Sequence, residues 1–218
     1  MNPSTIRLAL ASLLVLALGG ADAARAATIQ VTMKKDVVAD DGRCSLREAV
    51  TAANTNRPSG RTPGECVAGD PHPVVDVIKL RRGGYVLKLG GAGDDLDLGG
   101  DLDIAESVRI EGRGFKTKVK NRIGKLNVVG DGDRVFHVDP QARGGVDAFL
   151  VNMTITRGDV GCTGDGCATG ASAIEMNGPG QLTIERAAVV RNTAKCVGES
   201  CNDDRQGAAI RAVGAGRW

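Results

Sequence analysis

"MTITRGDVGCTGDGC" (Met153–Cys167) and "AAVVRNTAKCVGESC" (Ala187–Cys201) are two versions of one phrase. Each carries an apolar pair, an arginine and then Cys-x4-Cys, and both cysteines return after 34 residues. The likeness extends outward: "SAIEMN" (Ser172–Asn177) recurs as "AAIRAV" (Ala208–Val213), and "AFLVN" (Ala148–Asn152) as "LTIER" (Leu182–Arg186). A fixed period of this size is the mark of stacked structural units.

Within each unit, three short segments alternate apolar and polar residues between Gly, Asn or Asp, a period-two pattern that predicts strands rather than helices. Three inward columns follow: Ile104, Phe136, Ile174 and Ile210; Ile110, Leu150 and Ile184; and Val119, Ile155 and Val189. Like residues stacked over like, three strands to a turn, predict an all-β fold, a parallel β-helix of about four rungs. An antiparallel sandwich also has short strands between turns. It offers no reason for the cysteine loops to return at one interval.

The open end of such a coil exposes strand edges and an apolar bore, and needs a cover. "CSLREAVTAANTN" (Cys44–Asn56) supplies a helix over 45–54. Ser45 and Glu48 form a capping-box pattern. Leu46, Ala49, Val50 and Ala53 make a narrow apolar stripe, with Arg47, Glu48, Thr51 and Asn54 outside it. The six cysteines pair by spacing as Cys162 with Cys167 and Cys196 with Cys201, which leaves Cys44 for Cys66, although six cysteines allow fifteen connectivities. A Cys44–Cys66 bridge would hold a helix too short to be stable alone.

Upstream, Arg7, the apolar run Leu8–Leu18 and Ala24-Arg25-Ala26 read as a secretory signal peptide over residues 1–26, and the run is shorter than the roughly 20 residues of a membrane span. The expected organisation is therefore a signal peptide (1–26), an N-terminal cap (27–73) and rungs (74–218) of an exported protein, periplasmic, secreted or at the cell surface. "AAIRAVGAGRW" (Ala208–Trp218) begins a rung without finishing it, so the rungs are expected to be truncated. The formal net charge is +2 with acids and bases interspersed, and aromatic residues make up 2% of the chain. Neither a basic face for nucleic acid nor a row of aromatic platforms for sugars is expected.

"DDGRCSLREAVTAAN" (Asp40–Asn54) resembles the CSLREA-type N-terminal module of exported bacterial right-handed parallel β-helix proteins. "DVIKL" (Asp76–Leu80), "GDLDI" (Gly100–Ile104), "SVRIEGRG" (Ser107–Gly114) and "DRVFHV" (Asp133–Val138) follow in the family's order. The resemblance implies a right-handed β-helix, export and surface display like that of polymorphic outer-membrane or autotransporter passenger regions. It implies no reaction and supplies no catalytic residue.

Three groups of residues are candidates for chemistry. His137, Glu175 and Arg211 stack one position beyond the first column, a ladder expected on a solvent face, in which Glu175 would be the acid or base and His137 its neighbour. Arg157 stacks over Arg191, a pairing of like charges that suits an anionic polymer. Asp94, Asp95, Asp97, Asp101 and Asp103 offer oxygen ligands for calcium, without the loop grammar of an EF-hand. No other cofactor or metal is expected, and no nucleophile elbow, metalloprotease helix or phosphate loop appears. The expected function is a non-enzymatic surface or adhesin-like scaffold, meeting a cell-envelope or extracellular polysaccharide, or another protein, through its disulfide loops. A polysaccharide lyase or glycoside hydrolase on the same fold is the alternative.

Overall fold

The computed structural model describes residues 26–90, 99–121, 133–163, 171–197 and 209–213. The expected signal peptide falls almost wholly outside this set. The described residues hold fifteen strands and one helix, so the chain is predominantly β. Every strand pair among them is parallel.

A first sheet runs β1 (Thr28–Gln30), β2 (Asp76–Lys79), β5 (Val108–Glu111), β8 (Ala148–Val151), β12 (Leu182–Glu185). A second runs β3 (Gly83–Leu87), β6 (Thr117–Asn121), β9 (Thr154–Thr156), β13 (Ala188–Val190). The third is β4 (Leu102–Ile104), β7 (Phe136–Val138), β11 (Ile174–Met176), β15 (Ile210–Ala212). β10 (Asp159–Thr163) and β14 (Thr193–Val197) pair separately. From β2 onward the chain visits the first, second and third sheets in constant order, with the β10 and β14 pair an extra stop between the second and third.

Period two sends alternate residues to the interior. In the first sheet Ile29, Ile78, Ile110 and Leu150 lie in register and fully buried, followed by half-buried Ile184. In the second, Tyr85, Val119 and Ile155 lie in register and buried, followed by half-buried Val189. Burying each large apolar side chain stabilises by about 1.5–3 kcal/mol. The third file differs from expectation. Leu102, not Ile104, stands opposite Phe136, Ile174 and Ile210, while Ile104 stands opposite Val138, then Met176 and Ala212. The turns between strands are tight. At Gly158 an added methyl carbon would sit 1.5 Å from the Ser172 carbonyl oxygen.

Helix α1 (Leu46–Thr55) covers the N-terminal edge, packing on β4, β1 and β2. Its start follows the sequence: the Glu48 amide donates to Ser45 Oγ at 3.1 Å, and the Ser45 amide to Glu48 Oε2 at 2.8 Å. Asn56 ends it in the left-handed conformation. Leu46, Ala49, Val50 and Ala53 are buried, and Cys44 is bonded to Cys66. Cys167 and Cys201 lie outside the described residues, so the other two expected bridges do too.

Arg47 and Glu48 are also buried, contrary to their place outside the stripe. Arg47 ties the helix to the turn before β4. Its Nε donates to Asp36 Oδ1 at 2.8 Å, Nη1 to the Gly99 and Asp101 carbonyls and Nη2 to that of Gly100, each at 2.8 Å. A guanidinium presents its donors in a planar fork, which suits a carboxylate on one edge and a turn of carbonyls on the other. Asn54 adds a strap: Nδ2 donates to the Asp103 carbonyl at 2.6 Å, and Oδ1 accepts from the Ala105 amide at 2.9 Å.

Candidate functional site

The middle residues of the third sheet's strands point away from the apolar files, and register brings Asp103, His137, Glu175 and Arg211 side by side. The ladder anticipated from sequence is formed, but its surroundings are not the solvent face expected. Asp103, His137 and Glu175 are all less than a tenth exposed, and only Arg211 reaches water.

Each of these groups is committed to a partner. Glu175 Oε2 lies 3.0 Å from Arg134 Nη1, and Oε1 lies 3.0 Å from Arg211 Nη1. The Ala171 amide also donates to Oε2 at 3.3 Å. The Asn177 amide nitrogen sits 2.7 Å from His137 Nε2, so that nitrogen accepts and the proton belongs on Nδ1, 3.5 Å from Asp103 Oδ1. Arg134 Nε is 3.3 Å from Asp101 Oδ2 and 3.7 Å from Asp133 Oδ1. Asp133 Oδ2 in turn accepts from the Asp101 amide at 3.1 Å. Burial holds the Asp133 carboxyl above its ordinary value, against hydrogen bonds and the Arg134 charge that pull it down.

One ligand atom each from Asp101, Asp103 and His137 lies within 4.8 Å of the other two, a donor set suited to a divalent cation. Arg134 already places positive charge beside that group. Asp94, Asp95 and Asp97, the rest of the expected calcium cluster, lie outside the described residues.

The second sheet presents a different outer surface. Lys118, Thr154 and Ala188 form one file, and Val86, Lys120, Thr156 and Val190 the next. Arg157 and Arg191 follow β9 and β13 and are joined by a hydrogen bond from the Arg157 amide to the Arg191 carbonyl at 3.1 Å. With Lys118 and Lys120 they line a groove of about 520 Å³. The expected arginine pair is therefore brought together with two lysines outside the expected binding set. The signal was present in "TKVKN" (Thr117–Asn121): Val119 inward sends both lysines outward. A net charge of +2 with acids and bases interspersed had argued against any basic face; the fold segregates the charges by side.

No family model, curated protein or solved structure matches the chain. Among the described residues, no helix is long and apolar enough to cross a membrane.

Proposed function

We propose that the chain is an exported right-handed parallel β-helix of the CSLREA-type kind, acting as a non-enzymatic surface or adhesin-like binding scaffold. Constant strand order through three parallel sheets supports the coil, and α1 over the N-terminal edge supports its cap. The observation that carries the non-enzymatic reading is the commitment of Glu175. Its two carboxylate oxygens are held by two arginines, so neither is placed to take a proton from a substrate. His137, the other candidate, is held between Asp103 and Asn177. The Cys-x4-Cys loops belong to this proposal as a contact surface, since β10 and β14 bring Cys162 and Cys196 into adjacent register.

The test is turnover. Purified protein incubated with polygalacturonate, alginate and heparin is expected to release neither reducing ends nor unsaturated products. Release that Glu175→Gln abolishes would establish the lyase or hydrolase instead.

A further inference from the structure

Beyond the N-terminal edge of the second sheet lies another concavity, of about 660 Å³, lined by Lys34, Lys35, Arg43, Arg81 and Lys88. Val86 lines it too, and Val86 stands in register beside Lys120, which lines the 520 Å³ groove. The two hollows therefore adjoin on one face. Together they gather nine cations.

Among the described residues, the only carboxylate in either lining is Asp36, and it is spent. It holds Arg47 and accepts from the Lys88 and Leu89 amides at 2.6 and 2.9 Å. Among the described residues, none of the nine cations lies within ion-pairing distance of a carboxylate. Arg157 and Arg191 occupy equivalent turn positions in the left-handed region, with φ of 64° and 56°, a conformation that Asn152 and Arg186 repeat after the first sheet's strands, so the turn geometry places the two arginines alike. The other residues lining the groove are Thr154 and Thr156, each less than a tenth exposed, with Ala188, Val190 and the exposed Phe115.

We infer that this strip binds a linear acidic polysaccharide, its chain lying across strands β3, β6, β9 and β13 from the Arg43 and Lys88 hollow to Arg191. Strands succeed one another at about 4.8 Å, so cations recur along the path at a spacing comparable to that of charged groups on successive sugars. Like charges held side by side repel unless anions lie between them. The exposed side chains of Val190 and Phe115 suit sugar ring faces, while the Thr154 hydroxyl is already given to the Phe115 carbonyl at 3.0 Å. A single-stranded nucleic acid would need stacking platforms, and among the described residues Phe115 is the sole aromatic lining either hollow.

This inference rests on the scaffold reading above, and its test separates the two. Affinity for polygalacturonate and for heparin is measured by calorimetry at low and high salt, beside turnover. Binding is expected to both polymers, weakening with salt, and the better of the two identifies the anion as carboxylate or sulfate. A polymer long enough to span both hollows should bind about tenfold tighter than a trimer that fills one. Lys88→Glu and Lys120→Glu should each weaken the long polymer about tenfold or more. Arg191→Asn, which suits the left-handed backbone, should weaken it less. Lys88→Gln and Lys120→Gln repeat the test should either reversal disturb folding, which circular dichroism reports. Equal affinity for long and short polymers, unchanged affinity in the lysine variants, equal binding of neutral dextran, or preference for DNA of the same charge would each overturn the inference. Absence of binding without turnover would remove the strip and leave the scaffold, whereas turnover with binding lost in the lysine variants would remove the scaffold reading and leave the strip.

Discussion

The outer files of the second and third sheets are built on the same parallel ladders, yet they treat charge in opposite ways. On the third sheet, Asp101, Asp103, Asp133 and Glu175 meet Arg134 and Arg211 in a mostly closed cluster. On the second, Lys118, Lys120, Arg157 and Arg191 line an open groove with no acid among the described residues. Register stacks residues from distant points of the chain on both sheets, and the turns make the difference: they bring Arg134, Asp101 and Asp133 to the third sheet's file and Arg157 and Arg191 to the second's. A buried mixed file holds the fold, and an exposed single-sign file is free to meet a ligand. Substitutions on the two sides should therefore act on different quantities.

The largest effect on stability is expected at the root of the closed side. Arg47→Ala strips Asp36 and three turn carbonyls of their buried donor, and losing one partner of a buried pair costs about 3–5 kcal/mol. Arg47→Lys should recover little of this, since an ammonium cannot present the planar fork. Urea denaturation measures both. A loss under about 1 kcal/mol would mean that β4 and the turn before it do not depend on the helix.

Next comes Glu175→Ala, which leaves Arg134 facing two aspartates and Arg211 without its carboxylate; about 2–3 kcal/mol is expected. Glu175→Gln keeps a hydrogen-bond acceptor and should cost about half as much. If both variants are as stable as wild type, the third-sheet file is no more structural than the second.

pH provides a third comparison. Burial raises the Asp133 carboxyl, and, on the first sheet, burial raises that of Asp76 to about 6. Over the interval from the ordinary value of 3.8 to about 6, folded Asp76 keeps a proton that the unfolded chain has released. The native state then binds more protons, so stability falls as pH rises through that window. Asp76→Asn should flatten the slope at its upper end, and Asp133→Asn should flatten it in the same sense, with shifts of a few degrees in Tm. Lysine substitutions on the second sheet should leave the slope unchanged.

Much of this was legible from the repeat, and the misses have definite causes. Period two put Ile110, Leu150 and Ile184 in one file, and Val119, Ile155 and Val189 in another, because a one-residue slip would have turned every side chain outward. A two-residue slip keeps the face, and so Ile104 was assigned where Leu102 stands. The capping box was readable because it is local. Arg47 was not, since its carbonyl partners lie more than fifty residues away, before β4. Burial of His137 and Glu175 was missed for a related reason: Arg134, Asn177 and the Ala171 amide reach them from turns, and strand periodicity carries no information about turns. The basic strip was hidden in the total charge, in which the acids of one face cancel the cations of another.

The smallest effect separates the two sides most cleanly. Lys118→Gln with Lys120→Gln removes two charges that meet no opposite among the described residues, so stability should change by no more than about 0.5 kcal/mol. The sign depends on salt. At low ionic strength the wild type carries the mutual repulsion of Lys118, Lys120, Arg157 and Arg191, so the double variant should be slightly the more stable; at about 0.5 M salt, where the screening length is only a few ångströms, the two should converge. A pair of melting curves at each salt concentration decides it. A double variant less stable than wild type at low salt would show that these lysines are held by attractive partners, as the third sheet's charges are, and the contrast between an open and a closed face would fail.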